Sequence, residues 1–313
     1  MIRAIYARVP RELLEQVQII PGRVEVELNP EKIRILWVHD LCSDSQLSHL
    51  ANGGYNRFHA IVFVSHWQMQ SFIRTYNIPW SKCYVIQNGI VPIPVAERPD
   101  DGVVRLIYTS TPHRGLVILN KVFQRLCETH DNIELDVFSS FGLYGWQEKD
   151  EQFKPLFDEL DAHPKINNHG AQPNDVVREA LTKSHIFAYP SIWEETSCLC
   201  LMEAMSAGCL CVHSSYGALF ETAANLTVMY QYNENLNNHA GIFYDLLNHS
   251  IENINNEALV NKTKSQKIYA DHFYNIDLKA TQWESLITSL LHLPRHIEGR
   301  SVTIDTTSFL PRL

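Results

Sequence analysis

The stretch YPSIWEETSCLCLMEAMSAG, residues 189–208, decides the architecture. It opens at the end of an apolar run, 186–189, whose length and flanks predict a buried strand. A Pro190-Ser191 loop follows and carries Glu194 and Glu195. Thr196 and Ser197 stand where N-cap residues belong, ahead of Leu199, Met202 and Met205 at helical spacing. A helix is therefore expected over 197–207. Gly208 ends it, and the apolar run 209–213 predicts a second buried strand. This order of elements places a helix N-terminus at the carboxyl end of a parallel strand. Open α/β sheets bind ligands there, with anionic groups on the free backbone N–H groups.

Two carboxylates belong to this unit. Glu195 precedes the helix, and Glu203 lies about two turns into it, roughly 9–10 Å along the axis from the cap at about 1.5 Å per residue. A carboxylate only accepts hydrogen bonds, so it suits the hydroxyl pairs of a sugar or ribose and repels phosphate. An anion at the helix start, with one Glu toward each end of an extended ligand, fits a nucleotide-diphosphate sugar. Spacing alone does not separate such a pair from two Glu residues placed by chance.

The full string is more specific. Pro190-Ser191, Glu195, seven residues, then Glu203-Ala204-Met205 and Gly208 resembles the donor-site signature of retaining glycosyltransferases of group 1, family four of their classification. The Gly-Pro-Val that often follows this helix in the family is Gly208-Cys209-Leu210 here. The resemblance implies the GT-B fold, α/β with two Rossmann-like domains facing a cleft. It also implies transfer of a sugar from a nucleotide-diphosphate sugar to an acceptor hydroxyl, with no cofactor and no essential metal. Glu195 would contact the transferred sugar, and Glu203 the ribose. The N–H groups of Thr196, Ser197, Cys198 and Leu199 at the helix start would face the diphosphate.

Other donor-site residues follow from the same resemblance. The loop TSTPHRG, 109–115, joins a strand to a helix and resembles the family's phosphate loop, whose usual Arg and Lys-Gly are reduced to Arg114-Gly115. Arg114 would clamp the diphosphate, with Ser110 and Thr111 donating hydrogen bonds. The alternative is a surface Arg near a helix start, where a cation opposes the helix dipole. His39, in the string Trp37-Val38-His39-Asp40, resembles the family's His that touches sugar or acceptor. A His bonded locally at a strand end is the alternative. Gly170 would make the turn that accommodates the base. The catalytic set is then Glu195, Arg114 and His39.

Composition sets the outer bounds. At 313 residues the chain suits two modest domains, and 45% hydrophobic with 19% charged residues is ordinary for a globular protein. A net charge of −9 without any Lys/Arg run argues against nucleic acid as the partner. No apolar run reaches membrane-spanning length, and no signal-peptide core stands at the N-terminus. Seven Cys, an odd number, suit reduced thiols in a cytoplasm better than disulfides. Cys198, Cys200, Cys209 and Cys211 form two C-x-C pairs that read as small buried residues rather than zinc ligands. There is no Asp-x-Asp, G-x-G-x-x-G, Walker A, H-E-x-x-H or G-x-S-x-G motif.

The rest of the chain divides around a Pro- and charge-rich stretch, 91–102. Before it, strands are expected over 24–28, 33–38, 60–65 and 84–87, with helices over 11–18 and 67–76. After it come strands over 104–108, 133–138, 186–189, 209–213 and 227–230. The helices between them are expected over 115–129, 150–161, 173–183, 197–207 and 217–224. Residues 1–95 would be a shortened acceptor-side domain, and 96–275 the donor domain. Residues 276–313 would hold a helix crossing back to the first domain, about 278–291, and an irregular tail. The family's acceptors include lipids, polysaccharides, proteins and small molecules, so the glycan, lipid or protein acceptor is open. Peripheral membrane contact and a homo-oligomer are open as well.

The short first domain motivates an alternative, a non-catalytic nucleotide-sugar-binding module that needs a partner for its acceptor site. A glycosidase using Glu195 and Glu203 as acid and base fits a helix N-terminus between the two carboxylates less well, and an epimerase on the same two-domain fold is a more distant alternative.

Overall fold

The computed structural model describes residues 2–292, and the expected tail over 294–313 lies outside them. Two parallel sheets organise these residues. The first has the order β1-β2-β3-β4, formed by β1 (Val17–Pro21), β2 (Ile33–Val38), β3 (Ala60–Phe63) and β4 (Cys83–Val85). Helices α1 (Ile2–Tyr6) and α2 (Arg11–Leu14) precede it, and α3 (His66–Tyr76) connects β3 to β4.

Alternation along β2 explains its two covered faces. Ile33, Ile35 and Trp37 enter one apolar cluster, while Leu36 and Val38 enter another with Phe63, Met69 and Phe72.

The second sheet has the order β10-β9-β8-β5-β6-β7. Its chain path runs β5 (Val104–Thr109), α4 (Leu116–Leu126), β6 (Ile133–Phe138), α5 (Lys154–Ala162), β7 (Ile166–Asn168), α6 (Asn174–Lys183) and β8 (Ile186–Tyr189). It continues through α7 (Leu199–Ser206), β9 (Leu210–Ser214), α8 (Leu219–Ala223) and β10 (Val228–Tyr230). The path moves outward from β5 in one direction, then returns to place β8 on its other side, with Leu106 beside Ile186 and Ile107 beside Phe187. The order therefore reverses between β5 and β8, where a doubly wound sheet opens its ligand crevice. Two buried strands meeting at the reversal leave their following loops side by side. Those loops are 110–115 and 190–198.

Helices α9 (Leu236–Glu252), α10 (Glu257–Phe273) and α11 (Ile276–His292) end the described chain. Ile276, Ala280, Trp283, Ile287 and Leu290 of α11 share one apolar cluster with Ile5, Ile35, Trp37 and Val62 of the first domain. Trp37 and Trp283 meet at 4.8 Å between ring centroids, edge to face. No described helix is long and apolar enough to cross a membrane.

Three local expectations are corrected. The segment 24–28 is not a strand: Gln18 of β1 bonds the carbonyl of Glu27 and the N–H of Asn29, so it runs beside the sheet as a loop held by a side chain. The helix expected over 11–18 stops at Leu14, because Val17–Pro21 pairs with β2 instead. The polar strand β7 adds a sixth member to the second sheet, with Ile166 its one buried side chain.

Candidate donor site

At the sheet reversal, Glu195 is 3% exposed. A carboxylate so buried needs partners. Its Oε1 accepts from Arg114 Nη1 at 2.7 Å and from the Tyr189 hydroxyl at 2.5 Å. Burial works against the Arg114 charge, but Glu195, Tyr189 and Tyr144 hold its pKa above the ordinary arginine value. Burial, with Glu195 beside it, likewise raises Tyr189 well above the tyrosine range, so it stays a donor.

The backbone around the pair is shaped by two glycines. Gly217 has φ +66, and a Cβ there would stand 2.4 Å from the Glu195 carbonyl oxygen. The Ala218 N–H donates to that same oxygen at 2.6 Å. Gly115, at φ +120, lets the loop after β5 close on the Pro190 carbonyl, which a Cβ would approach to 2.2 Å.

A cleft of about 640 Å³ opens beside the pair. Gly89, Ile90 and Ile276 line one side, and Thr109, Gly170, Leu199 and Glu203 the other. Its size suits a small-molecule ligand. Glu203 Oε1 accepts from Arg178 Nη1 at 2.9 Å and Asn174 Nδ2 at 3.1 Å. Both donors come from one face of α6, four residues apart. Arg178 also donates to the Val91 carbonyl at 2.7 Å, joining the interdomain stretch to the site. Among the described residues, neither Glu195 Oε2 nor Glu203 Oε2 takes a protein partner.

Several polar atoms at the carboxyl ends of β5 and β6 and before α7 are buried without a partner. They are Thr109 Oγ1, Thr111 Oγ1, Arg114 Nε, Ser139 Oγ and Ser197 Oγ. Buried polar groups are normally satisfied, and a cluster of orphans marks a place that a ligand or water completes.

Residues 96–237 match the family model described as glycosyl transferases group 1. Over that part, just under half of its length, the chain is similar to group 1 glycosyl transferases. No curated protein matches it in sequence. Among solved structures, it is similar to a glycosyltransferase from Rickettsia africae ESF-5, with TM-score 0.71 and 14% identity over 90% of this chain and 79% of that one. It is also similar to Anabaena HepE solved with UDP-glucose, with TM-score 0.65 and 17% identity over 82% and 72%. Sucrose-phosphate synthase from Thermosynechococcus elongatus gives TM-score 0.66 and 13% identity over 83% and 68%. These likenesses show the fold, GT-B, with two Rossmann-like domains facing a cleft.

Within residues 96–237, the residues singled out from sequence fall in two layers. Gly170, Leu199 and Glu203 line the cleft. Glu195, Arg114 and Ser110 sit in a tighter layer, where Ser110 Oγ lies 3.5 Å from the Tyr189 hydroxyl. His39 follows β2 on the facing domain. Its carbonyl accepts from Thr196 Oγ1 at 2.8 Å, and burial lowers the ring's pKa to about 4, which leaves it neutral near pH 7. Its Nε2 is buried without a partner.

The expected cap at Thr196 and Ser197 is corrected. Helix α7 begins at Leu199 with Cys198 at its N-cap and no side-chain cap bond, because Thr196 spends its hydroxyl on the other domain. Asn174, Arg178, Tyr144, Tyr189 and Cys200 were not singled out from sequence. Only the four-residue spacing of Asn174 and Arg178 offered a signal, and an exposed helix face shows the same spacing.

Proposed function

We propose that the chain is a retaining, metal-independent glycosyltransferase that moves a sugar from a nucleotide-diphosphate sugar to an acceptor hydroxyl. The observation that carries this reading is the set of buried, unpartnered polar groups at the carboxyl ends of β5 and β6 and before α7, Arg114 Nε among them. Each would cost about 1–3 kcal/mol if left dry and unpaired. Hydroxyls and a guanidinium N–H together call for a ligand rich in acceptor oxygens, as a diphosphate is. The family match supports glycosyl transfer, and HepE, solved with UDP-glucose, makes uridine the first base to try.

Charge developing on the leaving diphosphate would fall to Arg114 and the N–H groups opening α7, preorganised donors of the kind that dominate such barriers. These groups would do the work of a metal ion. The free oxygens of Glu195 and Glu203 would take hydroxyls of the sugar and of the ribose. His39, neutral, would face the sugar or acceptor from the other domain.

The direct test is NMR of the first sugar released or transferred from UDP-α-glucose and related donors, with and without EDTA. Retention predicts the α-anomer and no loss with EDTA. A β-anomer, or activity lost to EDTA and restored by a divalent ion, contradicts that part of the reading. The four-stranded first sheet favours a second reading, a donor-binding module completed by a partner. That reading predicts nucleotide binding with no turnover on any donor.

A further inference from the structure

Between β6 and α5 the chain makes a tight excursion over the cleft, Phe141–Tyr144, closed by Gly145 at φ +74. Its base is tied down. Ser140 Oγ donates to Asp150 at 2.5 Å, the Phe141 N–H donates to the same carboxylate at 2.8 Å, and the Phe141 ring stacks on His113. Its tip is apolar and open to solvent, with Leu143 49%, Tyr144 53% and Trp146 44% exposed. Three large apolar side chains on one short turn are costly in water and mark a surface meant to be covered.

Leu143 and Tyr144 also form part of the cleft wall with Leu199, Cys200 and Glu203. Burial of the Tyr144 hydroxyl raises its pKa, with Arg114 pulling the other way, so the phenol stays protonated and can donate. Arg114 in turn senses Tyr144 next after Glu195 and Tyr189. Tyr144 lines the cleft together with Thr109, which opens the loop that carries Arg114.

We propose that Tyr144 is a further donor-contacting residue, whose hydroxyl donates to the diphosphate of the bound donor beside Arg114 as the turn 141–146 closes over the cleft. This rests on the donor-site reading above. A ligand in the cleft would cover Leu143 and Tyr144 from below. Trp146, 5.6 Å from Tyr144 between ring centroids, would change its surroundings as the turn moves.

The test is calorimetric titration of wild type and Tyr144→Phe with UDP and with uridine, alongside tryptophan fluorescence of wild type and Trp146→Phe. Loss of one hydrogen bond to a charged group predicts UDP binding about tenfold weaker in Tyr144→Phe. Uridine, which has no phosphate, should bind both proteins alike. UDP should change the wild-type emission, and most of that change should vanish in Trp146→Phe. Unchanged UDP affinity in Tyr144→Phe, or equal weakening for uridine, overturns the inference alone. If GDP, ADP or CDP binds in place of UDP, the same comparison is made with that nucleotide and its nucleoside. A wild type that binds none of the four overturns the donor-site reading and this inference together.

Discussion

Glu195 owes its place to four other residues. Its carboxylate is held by Arg114 and Tyr189, and its backbone by the close passage of Gly217 and Ala218. A buried ion pair of this kind stabilises little by itself, but removing one partner is expensive because the other charge is stranded. The glycine is the more revealing position. An alanine at 217 would adopt a left-handed backbone at roughly 1–2 kcal/mol and would also push a methyl into the Glu195 carbonyl. Gly217→Ala should therefore lower the melting temperature and slow turnover, though residue 217 carries no functional group. Thermal unfolding and a steady-state assay check this, and wild-type values in both would show that the backbone contact does not position Glu195.

The helices act at the next scale through their ends. Four N–H groups at the start of a helix have no partner within it. In α3, the N–H groups of His66 and Trp67 donate to the carboxylate of Glu221, at 2.9 and 3.0 Å, and that of Gln68 donates to Ser65 Oγ. Glu221 belongs to α8 of the other domain, and it also accepts from Gln87 at 3.3 Å. The helix cap is thus an interdomain contact, with the carboxylate favoured by the helix dipole. Glu221→Ala should cost about 1 kcal/mol, the usual loss of a cap, and should loosen the domains. Denaturant unfolding measures the first effect and small-angle scattering the second. No change in either would mean that other contacts already hold the two domains.

These same ends explain why sequence reading succeeds in some elements and fails in others. Strands β8 and β9 are buried along their whole length, and β5 and β6 keep apolar residues at most of their buried positions, so all four are legible. Strand β7 has one buried side chain and β1 pairs along one side only, and neither leaves a clear pattern. The Thr196-Ser197 pair has the chemistry of a cap, but Thr196 turns to His39 across the cleft. A local rule cannot see a partner 157 residues away in sequence.

Across the whole molecule, the functional arrangement is a meeting of distant segments. Arg114 follows β5 and Glu195 follows β8, and only the reversal of strand order makes them neighbours. The E-x7-E spacing pointed to Glu195 and Glu203 because both belong to one loop and helix. Arg178, Asn174 and Tyr144 escaped because their relation to that helix exists only in three dimensions. Helix α11 returns to the first domain's core through Trp283, and its first residue, Ile276, also lines the cleft. The cleft is therefore bounded by both domains.

On the proposed function, this cleft binds a nucleoside diphosphate through Glu203 and the Arg114 loop. Calorimetric titration of wild type and Glu203→Ala with UDP, GDP, ADP and CDP tests it most directly. Micromolar binding of one of the four is expected, with at least tenfold weaker binding in the variant. Binding by none of the four, or equal affinity in both proteins, would contradict it.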